Sequence, residues 1–486
     1  MTAPEPPIRA AVSHRLGWVA VAVVVVVLSV LVGATLAEPD LFWAVRAGSD
    51  GNPATDPYSW SVAGRPWVSN GPGFNTMVAW VYHRWAFTGL AIESALAAAT
   101  VLVTVVVRAV RWHGARPSAC AIVLTVSVPV GLGWLGARAQ TWALLCAAVL
   151  LVLFDAAVRA QSRRAWVRLA SLVAAMVCVQ ALWAYVHASA PMGVVLAGVS
   201  LGVPALASRR AGARGPYLAR VGAVLGVLGV LALASVSGRH GVEGLTHTAV
   251  VAHASVGLIS EWAPASLAPG APLAALVAIV LAALALAHLL AAPRRGGPAG
   301  SARVATVVLL LGLGLASAVV SRFASFLFLV EFPILAHAVT TRPRLVALAR
   351  PLATMAAALA AMVAVAAAIG VAAPAPLVRD LDRVALAALP AHCRLLNDYR
   401  SGGSLILLRP DVPVAVDGRN DLYGPVWVDQ ADRALQGGVY GVSWVATHHV
   451  TCVYAPSGVP LAADLLNGGG WTTLVDTGSH VVLARR

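Results

Sequence analysis

Long apolar segments recur along the first 373 residues of this chain and constrain its fold more than any other feature. Most are about 18 or more residues long, the length that an α-helix needs to cross a hydrocarbon core of about 30 Å. Lipid offers no hydrogen-bond partners to free backbone groups, so such segments cross membranes as helices. The sequence therefore predicts an α-helical polytopic membrane protein. The eleven predicted spans are residues 17–37, 88–107, 118–135, 141–158, 168–186, 190–208, 219–237, 271–292, 304–320, 323–340 and 351–373.

Charged residues are scarce, and their positions follow the apolar segments. They make up 11% of the chain, whereas soluble domains carry about 25%. The net charge of +14 alone could indicate a nucleic-acid partner, but all 34 basic residues are arginines, and many form short clusters between spans. Such clusters are typical topology signals of membrane proteins. We therefore expect the lipid bilayer as a partner and no nucleic acid.

The arginine clusters also predict the orientation. The first apolar run leads into Glu38-Pro39-Asp40, which is no cleavage site, so it is predicted to remain as a span behind a cytoplasmic segment, residues 1–16. Every second loop then carries at least three arginines, which places those loops inside. These arginines are Arg108, Arg111, Arg116, Arg159, Arg163, Arg164, Arg168, Arg209, Arg210, Arg214, Arg220, Arg294, Arg295, Arg303, Arg342, Arg344 and Arg350. The predicted location is the plasma (inner) membrane, although one long kinked segment around Arg322 is an alternative to two spans.

The odd number of spans places residues 374–486 outside as a small extracytoplasmic domain. Strand-like runs lie at 404–408, 412–416, 442–453, 472–475 and 481–483, and helical stretches at 425–437 and 459–467. Strands that alternate with helices predict an α/β fold. His448 and His449 fall on one of these strands, which would point their rings to opposite faces and disfavours a metal site. Cys393 and Cys452 are disulfide candidates in an oxidising compartment, but sequence alone leaves their pairing open.

The outer loop between the first two spans, residues 38–87 of the predicted transmembrane domain 17–373, combines acids with aromatic residues. It carries Glu38, Asp40, Asp50 and Asp56 beside five tryptophans. Acids held beside the membrane could act on a lipid-linked substrate. Alternatively, Asp40 could cap a short interfacial helix, Asp56 could belong to a turn, and the tryptophans could form an interfacial belt.

Several ionisable and amide side chains lie at the outer ends of predicted spans. They are Arg138, Gln140, His187, Glu261 and Arg322. Each arginine alone could simply extend to the membrane surface. Because ionisable groups are costly at membrane depth, we instead expect Arg138, His187, Glu261 and Arg322 to surround one outward-facing cavity together. Arginine suits a phosphate through its forked donors, and a carboxylate could act as a base or bind a cation.

Two polar clusters stand out in the C-terminal domain. One contains Asn397, Asp398 and Tyr399, and the other runs from Asp417 through Arg419 and Asp421 to Tyr423. Asx and glycine clusters after strands are most often turns. Alternatively, the two clusters form a binding lip. Nucleotide-binding loops of the Walker type are excluded because the chain has no lysine, and no metalloprotease motif occurs.

The order of these motifs resembles that of multi-spanning bacterial membrane proteins related to the GT-C glycosyltransferases. The resemblance extends over nearly the whole chain. Its segments are Pro39–Trp43 with Arg46 and Gly48, Thr55–Ser59, Gly64–Val68, Arg138 with Gln140, Leu182–Trp183 with His187, Glu261–Trp262, Ser321–Phe323, Asn397–Tyr399 with Gly403, and Asp417–Gly424. GT-C enzymes transfer sugars from polyprenyl phosphates on the outer face of the membrane.

The resemblance implies a role for each matching residue. Asp40, the acid after the first span, would be the catalytic carboxylate, as a base or as the ligand of a divalent cation. Arg138 and Arg322 would hold the polyprenyl phosphate, and His187 and Glu261 would orient donor or acceptor. The other expected substrate-binding residues are Arg46, Asp56, Gln140, Trp262, Asn397, Asp398, Tyr399, Asp417, Arg419, Asp421 and Tyr423.

The implied activity is transfer of a sugar from a polyprenyl-phosphate donor to an acceptor in the cell envelope. The chain lacks the two tryptophans of the oligosaccharyltransferase acceptor motif, and it lacks the acidic pair and the Lys-Pro-Pro stretch of related branches. Alternatives are a transporter or flippase for an envelope lipid, or a lipid-binding scaffold with a degenerate transferase fold. The sequence shows no clear internal repeat of the kind that many transporters have.

Overall fold

The computed structural model describes residues 7–35, 38–132, 134–159, 165–207, 214–293, 297–342 and 382–486. The chain divides into two compact units. We call the first the helical unit; it comprises Met1–Ala34, Ala91–Leu245 and Ile259–Ala373. The second, the mixed unit, comprises Thr35–Leu90, Thr246–Leu258 and Pro374–Arg486, so that the whole outer loop of residues 38–87 groups with the C-terminal residues.

Helices dominate the described residues before position 342. They are α1 (Pro7–Thr35), α2 (Asp40–Ser49), α3 (Pro72–His113, interrupted at Ala86), α4 (Pro117–Leu132), α5 (Ala139–Arg159), α6 (Ala165–Val186), α7 (Pro191–Ala207), α8 (Arg214–Ser235), α9 (Gly241–Ser255), α10 (Ala271–Ala291), α11 (Gly297–Val319) and α12 (Ala324–Thr341). Short 3-10 turns occupy Ser260–Trp262 and Ser321–Phe323. Proline is the first residue of α1, α3, α4 and α7, a position where its missing N–H costs no hydrogen bond.

Among the described residues, eight helices are long and apolar enough to cross a membrane. They correspond to eight of the eleven predicted spans. The predicted spans 118–135 and 190–208 correspond to the shorter apolar helices α4 and α7. The span 351–373 lies outside the described residues, so the number eleven stays a prediction. Two separate helices flank Arg322, with a 3-10 turn between them, instead of one long segment.

Helix α12 lies at the centre of the helical unit. Every residue from Ala324 to Ala336 is buried, and the helix packs against α4, α10 and α11. Its neighbour α10 presents a seam of buried alanines, Ala274, Ala275, Ala278, Ala282 and Ala285. Small residues at this spacing let two helices approach closely where lipid provides no hydrophobic drive for association.

A proline interrupts the hydrogen bonding of α12. Pro333 has no N–H, so the carbonyl of Leu329, four residues earlier, lacks its helical partner. The side chain of Arg108, from α3, replaces that partner: its Nη1 donates to the Leu329 carbonyl at 2.8 Å. The Nε of Arg108 also donates to Asp155 Oδ2 on α5 at 2.7 Å. Arg108 thereby links three helices, α3, α5 and α12.

The C-terminal part of the mixed unit has the predicted α/β character. It contains α13 (Arg383–Ala388), β1 (Leu395–Asn397), α14 (Gly402–Leu408), α15 (Asn420–Tyr423), α16 (Pro425–Leu435), α17 (Gly438–Thr447), β2 (Cys452–Pro456), α18 (Pro460–Asn467), β3 (Trp471–Asp476) and β4 (His480–Arg485). The sheet order is β1-β2-β4-β3. β1 pairs with β2 in parallel, and the other pairs are antiparallel.

The secondary structure predicted for this part is only partly correct. The strands at 472–475 and 481–483 and the helices at 425–437 and 459–467 are confirmed. The strand at 404–408 is wrong, because these residues lie in α14. The strand at 442–453 is also wrong over most of its length, since α17 continues to Thr447 and His448 and His449 follow in a turn, with a φ of 52° at His449. Residues 412–416 form no strand beyond one isolated bridge, Val414 to Ser59.

Cys393 and Cys452, which the sequence left as candidates, are joined in a disulfide, with Cα atoms 6.0 Å apart. Cys393 lies just before β1, and Cys452 is the first residue of β2. Both cysteines are buried. The bond therefore reinforces the parallel pairing of these two strands.

Candidate functional site

Five predicted residues meet at one end of the helical unit, and we call them the guanidinium cluster: Arg138, Gln140, His187, Glu261 and Arg322. Arg138 donates to both oxygens of Glu261, with Nη2 to Oε2 at 3.1 Å. Arg322 Nη1 lies 3.4 Å from Glu261 Oε2, and its Nη2 donates to Gln140 Oε1 at 3.2 Å. The structure thus brings together residues that are up to 184 positions apart in the sequence.

Short structural elements position these side chains. Thr141, in the first turn of α5, stabilises the turn before that helix. Its hydroxyl donates to the Gly136 carbonyl and accepts from the Gly136 N–H. Glu261 and Arg322 lie on the two 3-10 turns, and Ser321 joins these turns by donating from both its N–H and its hydroxyl to the carbonyl of Ala263. The polar groups are therefore held on rigid, hydrogen-bonded supports.

His187 adds a further donor to the cluster. Its Nδ1 accepts from the backbone N–H of Ser189 at 3.0 Å, so the proton of the neutral ring is on Nε2. Nε2 lies 3.4 Å from Nη2 of Arg322. Burial, followed by the charges of Arg322 and Arg138, lowers the pKa of His187 to about 3. The Nε2–H of His187 and an N–H group of Arg322 are therefore two hydrogen-bond donors that lie side by side.

Trp262 supplies one more donor beside Arg322. The guanidinium carbon of Arg322 lies 5.5 Å from the centre of the indole ring. The indole Nε1 is buried and has no acceptor among the described residues. Buried N–H groups are nearly always hydrogen-bonded in proteins. A ligand with acceptor atoms would satisfy this group.

Glu261 is the acidic member of the cluster. Burial raises the pKa of its carboxyl, but the charges of Arg138 and Arg322 more than offset this effect and leave the pKa below its ordinary value. Glu261 is therefore ionised and acts as the anchor for both guanidinium groups. An ionised carboxylate already bonded to two arginines is suited to orienting them rather than to taking up a proton.

Asp40 lies in the mixed unit as the first residue of α2. The helix expected after Pro39 is present, but the residue in the N-cap position is Pro39, so the capping role considered for Asp40 is wrong. Its Oδ1 accepts from the indole N–H of Trp43 at 2.9 Å. The carboxylate rests directly on Gly418, where a Cβ atom would lie 1.8 Å from Oδ1. Glycine is thus required for the observed position of Asp40.

Tyr399 and Asn420 lie in the same part of the mixed unit. The Tyr399 hydroxyl donates to Asn420 Oδ1 at 3.0 Å. Burial and the nearby charge of Asp40 raise the pKa of Tyr399, so its phenol is neutral. Nδ2 of Asn420 is buried and has no acceptor among the described residues. Asn397 and Asp398 bond to the backbone instead: Asn397, the last residue of β1, donates to the Val416 carbonyl and accepts from the Ala415 N–H, and Asp398 forms a local turn by accepting from the N–H groups of Arg400 and Ser401.

Four other predicted residues form a closed, buried network: Asp56, Asp417, Arg419 and Tyr423. Arg419 donates to Asp56 at 2.7 Å and to both oxygens of Asp417, at 2.8 and 2.6 Å. Tyr423 donates to Asp417 at 2.5 Å. The Arg419 side chain is 1% exposed, and both carboxylates are 0% exposed. This network joins the outer loop to the C-terminal residues within the mixed unit.

The remaining predicted residues have local ion-pair partners. Arg46 of α2 bonds to Asp50, which directly follows that helix, at 2.7 Å. Asp421 pairs with His247 on α9, and 2.9 Å separate Oδ2 of Asp421 from Nε2 of His247. His247 was not predicted, because nothing in the sequence near it distinguishes it from other histidines of the chain.

The described residues contain no group of three or more His, Cys, Asp or Glu side chains that could hold a metal ion. The divalent cation considered from the resemblance therefore finds no such set of ligands in this part of the chain. We accordingly assign no step to a metal ion.

Sequence reasoning also missed Glu331, a carboxyl group in the middle of α12. It is 0% exposed, and neither oxygen has a hydrogen-bond partner among the described residues. The signal was present in the sequence, since Glu331 is the single acid in the predicted span 323–340. An ionisable residue inside a span is a functional candidate by default.

A scan of protein-family models and a search of curated proteins gave no match to this chain.

Proposed function

We propose that this protein is a GT-C-like membrane glycosyltransferase that moves a sugar from a polyprenyl-phosphate donor to an acceptor on the outer face of the plasma membrane. The observation that carries the proposal is the convergence of donors in the guanidinium cluster. Two arginines, the Nε2–H of His187 and the buried Nε1–H of Trp262 meet beside apolar helices. Arginine forks match the oxygen geometry of phosphate, and buried donors are strongest towards an anion.

In this proposal, the guanidinium cluster binds the phosphate group of the sugar donor. Arg138 and Arg322 receive the charge that develops on the phosphate oxygens as the sugar leaves, and Glu261 keeps both guanidinium groups in place. Fixed donors stabilise such a charge without reorganising during the reaction. The apolar helices of the same unit offer the polyprenyl chain a lipid-like surface.

Asp40 acts as the general base in this proposal. Its carboxylate takes the proton from an acceptor hydroxyl, the hydroxyl oxygen forms a bond to the anomeric carbon, and the bond between that carbon and the phosphate oxygen breaks. The electron pair leaves with the polyprenyl phosphate. A single displacement of this kind inverts the configuration of the anomeric carbon.

The first experiment measures transfer of radiolabelled sugar from polyprenyl-phosphate donors in membranes that contain the wild type or Asp40→Asn. Loss of incorporation in D40N is expected, because the amide cannot accept the proton. Asp429→Asn is the matched control, since Asp429 is an exposed acid of α16 that is 59% exposed in its pair with Arg433. Normal transfer by D40N would remove Asp40 from the mechanism.

A second variant tests the position of Asp40 without changing its chemistry. Gly418→Ala adds a methyl group where the Asp40 carboxylate lies, so the carboxylate must move. Because small displacements of a catalytic group reduce turnover strongly, we expect G418A to lower the rate of transfer. Unchanged transfer in G418A, with D40N inactive, would mean that the observed position of Asp40 is not the reactive one.

Binding of the lipid separates an enzyme from a non-catalytic lipid-binding protein or a transporter. We expect Arg322→Gln to weaken the binding of a polyprenyl phosphate to purified protein by about tenfold or more, as for loss of a charge-assisted hydrogen bond. Arg433→Gln is the control, because Arg433 is 68% exposed. Binding that depends on Arg322, without sugar transfer from any donor, would favour the lipid-binding or transport alternative. Equal binding by R322Q and wild type would refute the assignment of the cluster.

A further inference from the structure

Glu331 differs from the other described acids of the helical unit in having no visible partner. Glu261 bonds to two arginines, Asp155 bonds to Arg108, and Glu93 accepts from the indole N–H of Trp142 at 2.6 Å. Glu331 is 0% exposed, and both of its oxygens lack a hydrogen-bond partner among the described residues. Ordinary packing does not explain a carboxyl group at this position.

The surroundings of Glu331 decide its charge. A buried carboxylate without a partner costs many kcal/mol, so the group is held as the neutral acid. The titratable and charged side chains of the packed elements are few: Arg108 on α3, whose guanidinium donates to the Leu329 carbonyl of α12, Cys120 on α4, Cys146, Asp155 and Arg159 on α5, His288 on α10, Arg303 on α11, Arg322 on the 3-10 turn and His337 on α12 itself. The structure shows no ion pair or hydrogen bond between any of these and Glu331 among the described residues.

Even the neutral acid is unfavourable here. A buried polar group without a hydrogen bond costs about 1–3 kcal/mol. A leucine at this position would avoid this cost and would fill a similar volume among the apolar side chains of α12. The polar group is therefore better explained by something that binds to it.

The backbone hydrogen bonding of α12 is interrupted next to Glu331. Pro333, two residues later, removes one helical hydrogen bond, and the released carbonyl of Leu329 is held by a side chain instead. Prolines are among the places where helices bend sharply, as are places where a side chain or water enters the hydrogen-bond ladder. Glu331 lies nine positions after Arg322 of the guanidinium cluster, which corresponds to about 13 Å at about 1.5 Å per residue.

We propose that Glu331 is a proton-binding site within the membrane helices, loaded in the conformation described and able to exchange its proton with water. A proton needs no cavity and no further ligands. A metal cation needs several ligands, and the described residues offer no group of three His, Cys, Asp or Glu side chains that could hold one. On release, the O–H bond of the carboxyl breaks, the electron pair stays on the carboxylate, and water takes the proton. This proposal does not depend on sugar transfer.

Infrared difference spectroscopy of the whole protein in lipid nanodiscs tests the proposal directly. The spectrum of the wild type minus that of Glu331→Gln should contain the carbonyl band of a protonated carboxyl group at neutral pH. The band should shift after transfer to D2O, because an exchanging site takes up deuterium. Glu93→Gln is the matched control, because Glu93 is a membrane-helix acid with a hydrogen-bond donor; its substitution should leave the Glu331 band in place.

A second readout uses a hydrophobic carbodiimide, which reacts with protonated carboxyl groups in membranes. The acid proton moves to a carbodiimide nitrogen while the carboxyl oxygen bonds to the central carbon, and no other reactant is needed. We expect an adduct on the peptide that contains Glu331, absent in E331Q and present in E93Q. An adduct at Glu331 supports the proposal together with the infrared band.

Two infrared results would overturn the proposal. A carboxylate band in place of the acid band would show that Glu331 is ionised and has an unseen partner. An acid band that does not shift in D2O would show a permanently buried acid with no exchange. A shifting band without a carbodiimide adduct still supports proton binding and means that the reagent cannot reach the site.

Discussion

The link between Arg108 and α12 leads to a prediction that separates two effects of one side chain. Arg108 donates to the Leu329 carbonyl, which Pro333 leaves without a helical partner, and to Asp155. If this account is correct, part of the contribution of Arg108 to stability exists only because residue 333 is a proline. A residue with an N–H at position 333 would bond to the Leu329 carbonyl itself, so this part of the contribution of Arg108 to stability should disappear.

The magnitude follows from the contacts that Arg108→Met removes. The carbonyl of Leu329 becomes a buried unsatisfied acceptor, at about 1–3 kcal/mol. Loss of a buried ion pair costs about 3–5 kcal/mol, but Asp155 is 23% exposed and His113 lies 3.7 Å from it, so the lower end applies. We expect R108M to lower the free energy of unfolding by about 4 kcal/mol. In the Pro333→Ala background the carbonyl has its helical N–H, and the loss should be smaller by about 1–2 kcal/mol.

The assay is a double-mutant cycle on unfolding in detergent micelles, with wild type, R108M, P333A and the double variant. The interaction energy between the two sites should be about 1–2 kcal/mol. Arg111→Met is the control, because Arg111 is exposed on the same helix, and its substitution should change the free energy by less than about 0.5 kcal/mol. Additive effects of R108M and P333A would refute the reasoning, since Arg108 and Pro333 would then act independently.

Two further predictions concern the mixed unit. In a denaturation experiment, Arg419→Met should lower the free energy of unfolding by about 3–5 kcal/mol, because it leaves the carboxylates of Asp56 and Asp417 buried without their cation. The control is Arg400→Met, which changes an exposed arginine and should have little effect on the free energy of unfolding. Asp382 caps α13 by accepting from Ala385 N–H, and although burial raises the pKa of its carboxyl, hydrogen bonds from Ser479, Thr477 and Ala385 lower it below the ordinary value. The stability that Asp382 contributes is therefore present above the unfolded pKa of about 3.9 and is lost as the pH falls through the folded pKa. We expect Asp382→Ala to lower the thermal midpoint of unfolding at neutral pH. At the lowest pH at which the protein stays folded, the same substitution should leave the midpoint unchanged. Equal losses at both pH values would contradict the carboxylate role of Asp382.

The helices before residue 342 were predictable because one simple rule governs them. Apolar runs long enough to cross a bilayer must be helical, so each predicted span in the described residues has a helix. Length was the weaker part of the prediction. α4 and α7 are shorter than the other spans, since hydropathy alone does not show where the helical backbone ends.

The C-terminal errors have a different cause. A short apolar run such as Ser404–Leu408 fits a buried strand or a buried helix equally well. The run is helical here, and Asp398 accepts from the two N–H groups just before α14. Val412–Val416 shows a second limit. Its one bridge is with Ser59, 355 residues earlier, and a pairing at that distance has no local signal.

The candidate site was predictable to the extent that membrane depth makes charge unusual. Arg138, Glu261 and Arg322 were singled out because ionisable groups at the ends of spans need partners, and the structure shows that they are partners of one another. In the polar C-terminal domain the same residue types carry no such information. Arg419 was therefore grouped with the binding residues, although its partner Asp56 lies 363 positions away and could not be inferred.

Unused hydrogen-bonding capacity distinguishes the buried polar groups more sharply than their residue types do. Arg419 uses four of its five N–H donors on two carboxylates and a phenol, so its guanidinium is largely satisfied within the protein. Beside the guanidinium cluster, in contrast, the indole N–H of Trp262 has no acceptor within the described part of the chain, and the carboxyl group of Glu331 on α12 has no hydrogen-bond partner there either. Because leaving a buried polar group unsatisfied costs free energy in the folded protein, a ligand that satisfies it recovers part of that cost on binding. We therefore expect binding at Trp262 and Glu331, and a stabilising role for Arg419.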